Sequence, residues 1–113
     1  MAKSDRPVFV RAGEGRSRGL FPGVTITTNA GENLMLSVVR FEPDASVPVH
    51  SHPHEQAGLL VSGRLKFTIG EETRVLEPGD QWLIPGGVPH TVIALDGPAV
   101  ALDVFNPIRE DYL

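Results

Sequence analysis

An all-β fold is predicted by three features of this sequence. Its apolar residues fall in short runs rich in valine, isoleucine, leucine and phenylalanine. Glycine and proline, 12 and 10 of 113 residues, cut between those runs. No segment sustains a 3.6-residue period over a dozen positions, so no substantial helix is expected. Short strands separated by turns at regular intervals are the pattern of a sandwich or barrel.

In chain order, strands are expected near Val8–Val10, Val24–Thr28, Leu34–Phe41, Val47–His50, Ala57–Val61, Arg64–Ile69, Thr73–Leu76, Gln81–Ile84, Thr91–Leu95 and Val100–Phe105. Ser62-Gly63 and Gly70-Glu71 each supply the glycine that a tight hairpin wants. The stretch Arg11–Arg18 is polar, glycine-rich and without alternation, and reads as a loose arm carrying Arg11, Arg16 and Arg18. Residues 1–20 are therefore expected as an N-terminal strand and flexible arm, and residues 21–113 as the barrel, in one domain. The only helical candidate is Pro107–Tyr112, too short to stand alone.

Composition narrows the function. With no cysteine there is no disulfide framework and no thiolate site, so any metal must sit on nitrogen and oxygen. A net charge of −4 disfavours nucleic acid as a partner. The start has no apolar signal segment and no run approaches a membrane span, which makes a cytoplasmic protein without membrane contact the expectation.

All four histidines lie at positions 50, 52, 54 and 90. His50 and His52 share parity on a strand and would present two imidazoles on one face, a two-point clamp for a transition metal. Gln56 has the same parity, although Pro53 interrupts the ladder between them. His54 after a local bulge, or Glu55 after a register shift, could replace Gln56. A His-rich surface tract would give the same spacing without binding a metal, so a second element has to supply further ligands.

That element carries a resemblance. His50, His52, Gln56 and Gly63 resemble the first cupin motif, G-x5-H-x-H-x3,4-E-x6-G. Gly79, Pro85, Gly87 and His90 resemble the second, G-x5-P-x-G-x2-H-x3-N. The resemblance implies a double-stranded β-helix, or jelly-roll barrel, holding one divalent transition metal ion (zinc, nickel, iron or manganese) on His50, His52, Gln56 and His90. It also implies a homodimer that exchanges N-terminal strands, with Val8–Val10 crossing beyond a hinge at Gly13–Gly19. Asp44 replaces the opening glycine and Ala94 the closing asparagine, for which only turn-level effects are expected. Gln56 replaces the usual glutamate, which makes the ligand set neutral and leaves the ion its full charge as a Lewis acid.

The tail adds a second group. Asp103 and Phe105 alternate with Ala101 on one face of a strand. A carboxylate turned into a barrel costs free energy unless it is paired or doing chemistry. Arg109 could reach Asp103 or grip a ligand's carboxylate; alternatively Asp103 faces water and Arg109 makes a surface ion pair worth little. The ending Asp-x-Phe-x3-Arg-Glu-Asp-Tyr is similar to that of the small pectin-degradation cupins that linearise unsaturated uronates. This likeness implies proton transfer by Asp103, a pocket wall at Phe105 and a carboxylate grip at Arg109. A barrel interior lined by Phe67, Trp82, Phe105 and leucines would limit water access. The expected function is isomerisation or ring opening of a small acidic sugar. A metal-dependent dioxygenase and a non-catalytic metal-supported binding protein are the alternatives.

Overall fold

The structure, a computed structural model, describes residues 8–113. Eight strands form it: β1 (Arg16–Phe21), β2 (Val24–Ala30), β3 (Met35–Phe41), β4 (Ser46–His50), β5 (Glu55–Ile69), β6 (Glu72–Leu76), β7 (Gln81–Ile84) and β8 (His90–Asn106). A 3₁₀ turn at Glu110–Tyr112 follows, and among the described residues no helix is long and apolar enough to cross a membrane. All pairings are antiparallel. The all-β reading holds, and the architecture is a cupin-type barrel.

Two long strands make the barrel, and they are where the expected strand list is corrected. Ala57–Val61 and Arg64–Ile69 are one strand, β5, and Thr91–Leu95 and Val100–Phe105 are one strand, β8. Ser62-Gly63 is no hairpin: the β5–β8 register shifts between Leu60 and Ser62 and again between Ser62 and Arg64. Such an irregularity bends a strand. The first half of β5 lies between β7 and the second half of β8, while its second half lies between β6 and the first half of β8. Each long strand thus serves both walls. The core records the bend, since buried positions run Gln56 and Leu60, then Leu65 and Phe67, an odd step that reverses strand parity. On β8 the same reversal falls between Ala94 and Ala99, at Asp96 (φ 59°) and Gly97 (φ 135°). Gly63 takes φ 86°, and a Cβ there would lie 2.3 Å from the Pro98 carbonyl oxygen, so no side chain fits the corner.

The N-terminal expectation also changes. Val8–Val10 is exposed and forms no strand, whereas Arg16–Phe21, half of it inside the stretch read as an arm, pairs with β2 from Arg16 opposite Thr28 onward. Residues 1–7 of the expected arm lie outside the described residues. Arginine and glycine hide β1, an edge strand whose ladder hydrogen bonds do not depend on apolar alternation. Gly70-Glu71 is the hairpin expected of it, joining Ile69 to Glu72. Asp44, at the motif's glycine position, adopts φ 65°, a conformation that aspartate tolerates better than most residues.

Candidate metal centre

His50 ends β4 and His90 begins β8, and the ladder sets them directly opposite each other. His52 lies beyond the end of β4, so its approach comes from the loop and not from strand parity. The loop is braced from the second motif. The Gly87 N–H donates to the His52 carbonyl at 2.8 Å, and Gly86 packs so tightly under Pro53 that a Cβ would sit 2.3 Å from the Pro53 carbonyl oxygen. Ring centroids are 4.2 Å apart for His50 and His90, 5.0 Å for His52 and His90, and 5.6 Å for His50 and His52. One nitrogen from each ring lies within 4.8 Å of the others, a spacing that can hold a metal ion.

Proton accounting sharpens this. Nδ1 of His50 faces the Pro48 carbonyl at 2.9 Å, that of His52 the His54 carbonyl at 3.0 Å, and that of His90 the Val88 carbonyl at 2.9 Å. A carbonyl only accepts, so each Nδ1 carries the proton and in a neutral ring Nε2 presents a lone pair. Burial lowers the His52 pKa, helped by Arg109 and outweighing its hydrogen bonds to Gln56 and His54; burial likewise takes His90 down to about 4. Both rings are therefore neutral at pH 7. His90 Nε2 is buried without a hydrogen-bond partner. His52 Nε2 lies 3.0 Å from Gln56 Oε1, which puts two lone pairs face to face. Moving the His52 proton to Nε2 only transfers the conflict to the His54 carbonyl. A cation among these atoms resolves every clash at once, and carbonyl-anchored imidazoles are how proteins orient metal-binding histidines.

Of the three residues considered as fourth ligand, only Gln56 turns inward, on β5 beside Phe105 and Ile84. Glu55 is exposed. His54 neighbours His52, with ring centroids 5.5 Å apart, but its nitrogens do not join the convergent set of His50, His52 and His90, and its Nδ1 is buried without a hydrogen-bond partner.

Asp103 lies next to this centre. Its carboxylate accepts from Trp82 Nε1 at 2.9 Å and from the Gln56 side chain. Burial raises its pKa to about 6, against the pull of those two hydrogen bonds and of Arg109. The aspartate therefore faces the barrel, not water. Arg109 does not form the ion pair with Asp103 that the sequence allowed. Its guanidinium, buried over the rings of Tyr112 (4.0 Å) and Phe105 (5.2 Å), bonds to Asp111 through Nε and Nη2 and to the Tyr112 hydroxyl through Nη1. Phe105 is buried against His52 and Tyr112 and lines the pocket together with Phe67, Trp82 and Leu20.

Gly58, Asp111 and Tyr112 were not singled out from the sequence. Gly58 is opposite both Trp82 and Asp103 in the sheet, and a Cβ on it would meet the indole at 2.1 Å. The signal available was its inward parity with Gln56, since a glycine facing a barrel interior implies a large neighbour.

Comparison with known proteins agrees with the geometry. Residues 37–105 match the Cupin domain family. Dimethylsulfoniopropionate lyase DddQ of Ruegeria pomeroyi is 34% identical over 78 residues, covering 68% of this chain and 39% of that protein. Quercetin 2,3-dioxygenase of Bacillus subtilis is 31% identical over 97 residues, covering 80% of this chain and 28% of that protein. The chain thus spans well under half the length of these curated relatives. The solved structure of KdgF from Halomonas sp. superposes with a TM-score of 0.87 at 30% identity, covering 95% of this chain and 99% of that one.

Proposed function

This chain belongs to the cupin family, and from that premise we propose that it is a metal-dependent enzyme that isomerises or ring-opens a small acidic sugar, an unsaturated uronate being the first candidate. The observation that carries the reading is the continuity of the site. Gln56 touches His52 on one side and Asp103 on the other, so a metal-binding cluster and a buried proton-transfer group share one amide.

His50, His52, His90 and Gln56 would hold one divalent ion, which when bound supplies Lewis-acid polarisation of a substrate oxygen. Asp103 moves the proton. With a pKa near neutrality it can both accept and return one, as an isomerisation with no net proton change demands. Trp82 fixes its orientation through the indole N–H, and Arg109 holds the substrate's carboxylate against Phe105. Phe67, Phe105 and Leu20 exclude water from the reacting atoms. The similarity of the tail to that of the uronate-linearising cupins, and the likeness to KdgF along nearly its whole length, support the reading. Metal-loaded protein is incubated with a 4,5-unsaturated uronate and loss of the enol-ether absorbance is followed; a rate equal to buffer at full metal occupancy refutes it. Similarity to quercetin 2,3-dioxygenase supports oxygen chemistry as the second reading. Oxygen uptake with candidate enols separates the two.

We propose a homodimer as well. The outer face of the sheet has an apolar row of Leu36, Val104, Ala57 and Leu83 beside a second row of Val38, Leu102 and Leu59. Leu83 is 75% exposed, and the exposed Val8, Phe9 and Val10 flank the same face near Leu36. A second copy laid on this face would cover both rows. Sedimentation giving a single 12.2 kDa species at micromolar concentration refutes the dimer.

A further inference from the structure

The cavity behind the histidines has a volume of about 40 Å³. That is room for an ion and a water or two, far short of a six-carbon acid. A substrate of the proposed class must therefore displace part of the wall, and the wall is not uniform. Ile26, Val39 and Trp82 line it from hydrogen-bonded strands, whereas Arg109 and Tyr112 belong to the tail beyond β8. Arg18 of β1 ties that tail down by donating to the Asp111 carbonyl, with its guanidinium 5.5 Å from the Tyr112 ring.

Asp111 itself is the informative residue. Its two oxygens lie 3.3 Å from Arg109 Nε and 2.8 Å from Nη2. A planar anion along one edge of the guanidinium is what a substrate carboxylate would offer. Asp111 is more than half exposed while Arg109 is buried, so the pair lies at the rim with the anion outward.

We infer that Asp111 is an internal stand-in for the substrate's carboxylate: an incoming acid takes its place on Arg109, and the Asp111 side chain swings out from the rim of the cavity. The inference rests on the reading of Arg109 as the carboxylate holder and adds the residue that sets how tightly an acid is held. Magnitude favours exchange over blockade. The Asp111 carboxylate is open to water, where an ion pair shifts an equilibrium by about fivefold, so a ligand that also gains buried contacts displaces it.

The test measures binding of galacturonate, its neutral methyl ester and acetate to the protein as purified. Binding is followed by the Arg109 Nε–H resonance and the indole N–H resonance of Trp82, the chain's one tryptophan. Asp111→Asn should tighten both carboxylates about three- to fivefold and leave the ester unchanged. Asp111→Glu should behave as wild type, and Arg109→Gln should erase the difference between Asp111 and asparagine. Unchanged or weaker acid binding in Asp111→Asn overturns the inference. So does an equal change for acid and ester, or no carboxylate binding in any form. Absence of uronate turnover, with acetate still gaining on Asp111→Asn, removes the sugar reading and leaves carboxylate exchange standing.

Discussion

Replacing Asp103 by asparagine should change how stability depends on pH, in a direction opposite to that of carboxylates held in ion pairs. Burial raises the Asp103 pKa from 3.8 to about 6 in the folded protein. The folded state therefore binds the proton more tightly than the unfolded chain, so Asp103 stabilises most below pH 3.8 and this contribution is lost as pH rises through 6. At about 1.4 kcal/mol per pH unit the loss is ~3 kcal/mol. His90 works the other way: its pKa falls from 6.5 to about 4, so stability is present above 6.5 and is lost as pH falls through 4, again by ~3 kcal/mol. In metal-stripped wild-type protein the Asp103 loss offsets much of the histidine gain between pH 4.5 and 7.5. In Asp103→Asn the contributions of His90 and of His52, whose pKa is also lowered, are unopposed and stability climbs with pH. The assay is urea unfolding of both proteins in a chelator at several pH values across that window, plotting the difference between them. Any constant cost of exchanging carboxylate for amide drops out of the slope. A difference that grows by ~2 kcal/mol toward high pH is expected, because part of the effect lies below pH 4.5. Parallel curves would mean that Asp103 titrates alike folded and unfolded, and the buried proton-transfer group would be lost with them.

Two further substitutions probe its surroundings. Gly58→Ala puts a methyl group where the Trp82 indole lies, at a cost of about 1–3 kcal/mol, and should break the bond to Asp103. Tryptophan fluorescence identical to wild type would contradict this. Gln56→Glu should tighten metal binding, measured by competition with a chromogenic chelator, because it adds a charge to a neutral set. In metal-stripped protein it should drive the Asp103 pKa above 6, and carboxyl NMR showing no rise would refute that.

The sequence made the all-β class legible through its short apolar runs, and the histidine spacing made three of the site's positions legible before any coordinates. What it hid has physical reasons. Ser62-Gly63 and Asp96-Gly97 look like hairpin turns because a glycine beside a polar residue serves a turn and a bulge equally well. The reversal of apolar parity across each was the distinguishing sign, and it appears only when Leu60 is compared with Leu65 and Ala94 with Ala99. Strand β1 was unreadable because Arg16 and Arg18 earn their place through contacts across the chain, Arg18 with the Asp111 carbonyl 93 residues away. Arg109 was recognised as a cation near the site and Pro107–Tyr112 as a helical candidate, which becomes the 3₁₀ turn Glu110–Tyr112, but nothing in the spacing says that Arg109 spends its donors on Asp111 and Tyr112.

Gln56 ties these observations into one account of why the chain departs from the family's glutamate. The position has two neighbours with opposite needs: an imidazole whose lone pair points at it, and a buried carboxylate that requires a donor. Glutamate could serve the metal but would set a second carboxylate against Asp103, and two adjacent anions in a buried site cannot both ionise near neutral pH. An amide meets both demands, offering its oxygen toward the cation site and its N–H to Asp103. The substitution therefore follows from Asp103. On the proposed reading, in which Asp103 transfers the proton, a neutral side chain at position 56 would also leave a bound metal its full charge.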